Sequence, residues 1–255
     1  MVATLRKPEI IGIARREGRV TVEGLVEHFG VTPQTIRRDL AELSDAGQLE
    51  RVHGGAVLPS TTVNIGYNDR RQLNQSSKVD IARRCAKLIP NDCCVFLNIG
   101  TTTEAVAAEL LQHQGLLVVT NNIHIALILS ENPNVDVIVT GGSLRKSDGG
   151  LIGAVTQHIT SQYRFDFSLI GCSALHVDGD ILDFDPQEVA VSRAIFKQSD
   201  HIILAADVSK FDRKAPAKIA SLANVNSFVT DSRPPPQIET LCRTAGTDLI
   251  IADNS

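Results

Sequence analysis

Seven short apolar runs limit what this chain can fold into. They are Cys93–Ile99, Leu116–Thr120, Val135–Thr140, Phe167–Cys172, His201–Ala206, Ser227–Thr230 and Leu249–Ala252. Each has four to seven residues, too few for a helix and enough for a buried strand. Helical periodicity fills the gaps, at Glu104–Leu111, Ile123–Ser130, Thr156–Gln162, Gln187–Gln198 and Gln237–Arg243, with Lys78–Leu88 ahead of the first run. Strands apolar on both sides, joined by helical crossovers, predict an α/β domain with a mostly parallel sheet covered on both faces. In such a sheet, ligands are held beyond the carboxyl ends of the strands.

That rule selects the residues after each run. The first leads into Gly100, Thr101, Thr102 and Thr103 and then a helix. Glycine lets backbone approach an anion, and hydroxyls with the first helical amides can hold a phosphate. Asn121 and Asn122 follow the second run; one suffices as a helix cap, which leaves the other a donor and an acceptor. Gly141, Gly142 and Arg145 follow the third, with Arg145 placed to reach an anion or hydroxyl. Asp178-Gly179-Asp180 follows the fourth and leads to Asp183, Asp185 and Glu188; Lys210 follows the fifth. No one loop is decisive, and their common position is what groups them.

The first 58 residues read differently. Residues 8–17 and Val22–His28 have helical spacing, and Gly18 and Gly30 end them. The stretch Val31–Leu43 then begins with a capping Thr32 and with Pro33 at the first helical position. Ile36, Leu40 and Leu43 share one face, while Thr32, Gln34, Thr35, Arg37 and Arg38 stay off it. Helix, glycine turn, helix is a helix-turn-helix, and its second helix reads the DNA major groove. Arg pairs with guanine edges and Gln with adenine edges. Leu49–Val52 and Ala56–Leu58 flank His53-Gly54-Gly55, a hairpin expected to form a wing. Arg51 beside its tip is a phosphate contact; His53 is either a second contact or an ordinary turn residue. The polar stretch 59–77 reads as a linker.

Net charge does not announce nucleic-acid binding. The whole chain carries −4. Residues 1–60 are neutral, with eight basic and eight acidic side chains, so DNA contact falls to local cations: Arg37–Arg38, Arg51 and Arg15–Arg16. Cysteines 85, 93, 94, 172 and 242 form no Cys-x-x-Cys pair and have no zinc-like spacing with His, which reads as reduced core residues. No cofactor, metal or catalytic residue is called for. The start lacks the apolar core of a signal peptide and no run is long enough to span a bilayer, so the cytoplasm is the expected compartment.

Thr32-Pro-Gln-Thr-Ile-Arg-Arg-Asp-Leu40 and His53-Gly-Gly-Ala56 resemble the DNA-binding region of DeoR-type bacterial transcription regulators. Gly100-Thr-Thr-Thr103, Asn121-Asn122, Gly141-Gly142-x-Leu-Arg145, Asp178-Gly179 and Asp207-x-Ser-Lys210 match landmarks of that family's effector domain, which is similar to ribose-5-phosphate isomerase and coenzyme A transferases. The resemblance implies a winged helix-turn-helix DNA-binding domain over 1–58, a linker over 59–77 and a phosphorylated-metabolite-sensing domain over 78–255. It implies a transcriptional repressor of operator DNA, induced by a phosphorylated sugar or polyol and assembled as a homodimer or homotetramer. Val26-Glu-His-Phe29, Ser147-Asp-Gly-Gly-x-Ile-Gly153, Phe184-Asp185 and Pro234-Pro-Pro236 favour glycerol 3-phosphate as that effector. Two other functions remain to be weighed. In an isomerase with a DNA-binding appendage, Asp178, Asp180 and Glu188 beside Lys210 would shuttle protons, although Ile181 and Leu182 interrupt the compact Asp-Gly-Ala-Asp-Glu cluster of the isomerase. A DNA binder that senses nothing would leave the strand-end loops unexplained.

Overall fold

The computed structural model describes residues 3–17, 19–59, 64–211 and 213–252. The chain forms two compact units, Met1–Leu73 and Asn74–Ser255.

The first unit contains α1 (Ala3–Glu17), β1 (Arg19–Thr21), α2 (Val22–Phe29), α3 (Pro33–Asp45), β2 (Glu50–Val52), β3 (Gly55–Val57) and α4 (Tyr67–Gln72). Thr21 caps α2 by accepting from the Gly24 amide, and Gly30 closes it at φ 64°. Thr32 caps α3, with Pro33 opening it. Ile10, Ile13, Leu25, Phe29, Ile36, Leu40 and Leu43 make one apolar core. The expected hairpin is a three-stranded antiparallel sheet, in the order β1-β3-β2. Strand β1 is too short for its alternation to register in a sequence.

The two wing glycines have different jobs. Gly54 turns at φ +71° with open space around it. Gly55 lies against β1, where an added Cβ would stand 1.9 Å from the Val20 carbonyl oxygen. Only a residue without a side chain lets β3 pair with β1 at Thr21.

The second unit contains α5 (Gln75–Ala86), β4 (Cys94–Leu97), α6 (Thr101–Glu109), β5 (Leu116–Thr120), α7 (Ile123–Leu129), β6 (Val135–Val139), β7 (Ser143–Arg145), β8 (Gly150–Ile152), α8 (Ala154–Thr160) and β9 (Phe165–Ile170). These are followed by β10 (Ala174–Leu175), β11 (Asp180–Asp183), α9 (Pro186–Gln198), β12 (Ser199–Ala205), β13 (Ala217–Ser221), β14 (Ser227–Thr230), α10 (Pro236–Ala245) and β15 (Asp248–Ile251). All seven expected strands are present in one sheet, ordered β15-β14-β12-β9-β4-β5-β6. Every neighbouring pair is parallel. Val95 and Leu97 of β4 face a core with α5, α6 and α7, whereas Phe96 faces the opposite core with α9 and α10. The chain order reverses at β4, which lies between β5 and β9.

Three details differ from expectation. The stretch read as a linker holds α4 and the start of α5, with Ser60–Val63 outside the described residues. The loops after β6 and β9 are not simple connections. One carries the β7–β8 hairpin, and the other starts a small antiparallel sheet, β10-β11-β13.

Gly55→Ala should destabilise the first unit more than Gly54→Ala. A side chain forced against backbone costs about 2–3 kcal/mol, whereas alanine in a left-handed turn with room around it costs about 1 kcal/mol. Chemical unfolding of the full chain followed by circular dichroism distinguishes them, and equal losses would refute the close-approach role of Gly55.

Candidate nucleic-acid interface and ligand site

Helix α3 buries Ile36, Asp39, Leu40 and Leu43. Its other face is open: Thr32, Gln34, Arg37 and Arg38 are exposed, and Thr35 is half-buried, with its hydroxyl 2.9 Å from that of Thr32. Arg38 donates to Glu42 one turn later at 3.0 Å. Lys7 bonds the same carboxylate; the two cations, Lys7 foremost, hold Glu42 below the usual carboxylate range. Arg37 has no side-chain partner among the described residues. A helix with three exposed polar side chains in its first two turns is shaped to face base edges.

Asp39 is the buried acid in the middle of that helix. It pairs with Arg6 of α1 through both oxygens, and both side chains are almost fully buried. The hydrogen bond that Arg6 donates to Asp39 raises the guanidinium pKa despite its desolvation. This pair locks the reading helix to α1. Nothing local in the sequence signals it, because its partners lie 33 residues apart.

On the wing, Arg51 and His53 are exposed. The His53 carbonyl accepts from Arg19 at 2.8 Å, and Arg19 also reaches Asp69 at 3.5 Å. Arg19 is therefore a further cation at the wing, which the sequence did not single out because its partners lie 34 and 50 residues away. The side chains of Arg15 and Arg16 lie outside the described residues.

In the second unit, the carboxyl ends of β4, β5, β6, β9 and β12 share one rim. Thr101 opens α6 directly after β4, half-buried, and Thr102 is buried. Thr103 differs from expectation. Its hydroxyl, fully buried, lies 2.7 Å from the carbonyls of Asn98 and Gly100, so it closes the turn from within and is not offered to a ligand. Asn122 is the cap: it accepts from the His124 amide and donates to Glu104 at 3.0 Å. Asn121 is the residue with capacity to spare. It is fully buried, donates to the Leu151 carbonyl at 3.2 Å, and its Oδ1 has no hydrogen-bond partner among the described residues. At Gly142 an added Cβ would stand 2.2 Å from the Thr156 hydroxyl, which itself donates to the Gly141 carbonyl.

Arg145 is not an open cation. Its guanidinium holds Asp148 through two bonds of 2.8 and 2.7 Å, Asp185 at 2.7 Å and Glu188 at 2.6 Å. It ties the β7–β8 hairpin to the start of α9. Burial, reinforced by the charge of Asp183, pushes Glu188 up to about 8, against the pull of Arg145. One guanidinium cannot neutralise this many carboxylates, and a proton on Glu188 relieves the excess.

Lys210 stands in the turn after β12. Burial would raise Asp207, but the charge of Lys210 and hydrogen bonds from Ser209 and Asn74 hold it below its ordinary value. Lys210 also acts on Cys172, just after β9, whose thiol burial pushes up to about 12.

Asp178 does not belong to this rim. Strand β10 runs back along the sheet and turns at His176–Gly179. There Gly179 accepts from the Leu222 amide, and the Leu222 carbonyl accepts from Thr247. Leu222 precedes β14 and Thr247 precedes β15, so Asp178 sits at the amino ends of the strands. It is exposed, paired with His176 and lowered chiefly by that bond. Asp180 pairs with Lys218. Only Asp183, Asp185 and Glu188 return to the carboxyl rim. The carboxylates required for an isomerase-like proton shuttle are thus divided between opposite ends of the sheet.

Among the described residues, no helix is long and apolar enough to cross a membrane. Residues 6–62 match the model of the DeoR-like helix-turn-helix domain, and residues 73–232 match that of the DeoR C terminal sensor domain. The chain is 45% identical over 235 residues to the glycerol-3-phosphate regulon repressor of Escherichia coli (strain K12), covering 92% of this chain and 93% of that one. It is 44% identical to the protein of the same name from Haemophilus influenzae, over 92% of this chain and 91% of that one. A D-ribose-5-phosphate isomerase solved with phospho-erythronic acid superposes on 54% of each chain with a TM-score of 0.41 and 14% identity. With both domains of the family matched in order, and full-length relatives at this identity, the chain belongs to the DeoR family of transcription regulators.

Proposed function

We propose that this protein is a DNA-binding transcriptional repressor whose hold on its operator is set by a phosphorylated sugar or polyol, with glycerol 3-phosphate the preferred effector. The observation that carries the reading is the convergence of Thr101, Thr102, Asn121, Gly141, Gly142 and Lys210 at the carboxyl ends of parallel strands, in a chain that begins with a winged helix-turn-helix. The choice of glycerol 3-phosphate is supported by the names of two relatives at 45% and 44% identity.

The chemistry divides along the rim. The first amides of α6, approached closely because Gly100 has no side chain, suit a phosphate, with the hydroxyls of Thr101 and Thr102 and the ammonium of Lys210 beside them. The unpartnered Asn121 Oδ1 suits a hydroxyl donor from the polyol end. Gln34, Arg37 and Arg38 read base edges while Thr32, Thr35, Arg51 and His53 contact the phosphate backbone. The effector lowers operator occupancy by binding better to the form that holds DNA poorly, a coupling of about 1–3 kcal/mol. Operators for such readers present paired half-sites, so the protein acts as a homodimer or homotetramer. The compartment in which such a regulator works is the cytoplasm.

Thermal-shift measurement with glycerol 3-phosphate, ribose 5-phosphate and inorganic phosphate, followed by operator titration with whichever shifts the melt, tests the whole reading. No shift with any sugar or polyol phosphate would overturn the sensing half.

Arg37→Ala should weaken specific operator binding by roughly tenfold to a hundredfold, as expected for loss of one good base contact, with an unchanged melt; retained affinity would remove α3 as the reader. Lys210→Ala should bind operator normally and require at least roughly tenfold more effector for release, consistent with loss of one charge-assisted contact; an unchanged dose response would remove Lys210 from the site.

Glu188 yields a pH prediction. A carboxyl raised to about 8 keeps its proton in the folded state where the unfolded chain has lost it. The contribution of Glu188 to stability is therefore greatest near and below its unfolded pKa of about 4.5, falls as pH rises toward 8, and levels off above it. Glu188→Gln should flatten that slope between pH 5 and 8 in urea midpoints; an unchanged slope would mean that Glu188 is ionised throughout.

A further inference from the structure

The sheet of the second unit stops at β6, and its outer edge is unoccupied by any strand among the described residues. The Thr140 amide bonds the Thr120 carbonyl, and the Asn134 carbonyl accepts from the Gly115 amide. Even-numbered residues of β6 therefore turn their backbone toward β5, while Val135, Val137 and Val139 turn theirs outward. The Val135 amide is taken by Asn132. The outward groups of Val137 and Val139 have no partner among the described residues.

This edge carries one of the devices that usually prevent strand addition, the exposed charge of Asp136, and lacks the others. Its sequence, Val135-Asp-Val-Ile-Val139, has no lysine, proline or bulge and is β-branched at four of five positions. The exposed large apolar side chains of the described residues are Leu127, Val139, Leu144, Val155 and Val177, and the first four lie on α7, β6, β7 and α8. Val155 stands by the end of β6: a Cβ at Gly141 would be 4.0 Å from its Cγ1. The opposite edge strand, β15, carries none of these residues.

We propose that β6 pairs antiparallel with β6 of a second copy of this chain, joining two sheets into one. A strand that pairs with its own copy about a two-fold axis makes an isologous contact, which closes after two subunits. Charge narrows the register, and centring the outward-facing middle residue of β6 selects it. With Val137 on the axis, Val135 lies opposite Val139 of the partner subunit and Asp136 opposite Ile138 of the partner subunit. The neighbouring register that sets Asp136 against its own copy is disfavoured by like charge. In the chosen register both outward backbone groups of Val137 and the amide of Val139 gain partners, the Val135 amide being already taken, and the exposed Val139 side chain gains cover. The pairing deepens the reading of the protein as an oligomer on paired half-sites and rests on it.

Sedimentation equilibrium of the full chain tests it. The parent protein is expected at the mass of two chains or a multiple. Val139→Lys, which changes an exposed side chain, is expected at half the parent mass with an unchanged circular dichroism spectrum, and roughly a hundredfold weaker on an operator with two half-sites. Val137→Cys is expected to cross-link between subunits on oxidation, beyond the level of the parent, because directly paired residues place Cα atoms about 5.5 Å apart, within disulfide reach; Val177→Cys is not. A parent protein of single-chain mass would overturn the oligomer reading along with this one. A parent dimer whose mass survives Val139→Lys, or whose Val137→Cys variant does not cross-link, would overturn the β6 pairing alone. If Val139→Lys fails to fold, the cross-link decides.

Discussion

A parallel strand cannot be joined to its neighbour by a tight turn, because the chain must return to the same end of the sheet before the next strand starts. With seven strands all running one way, every connection from β4 to β15 has to cross a face. Both faces become buried, all carboxyl ends collect at one rim, and polar residues that follow the strands are gathered there wherever they lie in the sequence. The reversal of strand order at β4 separates the loops after β4 and β9 and leaves a crevice between them. The residues with unusual chemistry in the second unit, Asn121 with an unsatisfied acceptor, Arg145 amid its carboxylates and Lys210 beside Asp207, lie along that rim.

The first unit is held differently. Its core is small, and the position of α3 depends on a buried ion pair as well as on apolar packing. Arg6 and Asp39 fix the inner face of a helix whose outer face must stay polar. A buried pair of this kind adds little net stability, yet losing one partner is costly. It therefore acts mainly on where the helix sits, which is what a reader of base edges requires.

The large sheet was legible because its strands are buried on both faces and read as continuous apolar runs. Helices α2 and α3 were legible from their caps, Thr21 and Thr32. Strands β1, β7, β10 and β11 were not, since they have two to four residues and exist only through partners distant in sequence. Among site residues, the division of labour between Asn121 and Asn122 followed from counting what a cap needs. Thr103 could not be told from Thr101, because the three threonines differ only in the direction each faces once the helix forms. Asp178 was misplaced for a related reason: its position after a strand was visible, whereas the hairpin that carries it to the other end of the sheet was not. Arg145 carried no sign that three acids up to 43 residues away would claim it.

The paired glycines of the wing bear on how such a protein can diversify. Position 55 is closed to any side chain by the Val20 carbonyl, and position 54 is constrained by its backbone. Arg51 and His53, beside them, point into open solvent. Heritable change is thereby channelled away from the frame and toward the surface proposed to meet DNA. On the proposed reading, exchange at residues 34, 37 and 38 changes the target sequence and exchange at 51 and 53 changes the strength of backbone contact, while the scaffold beneath them stays as it was.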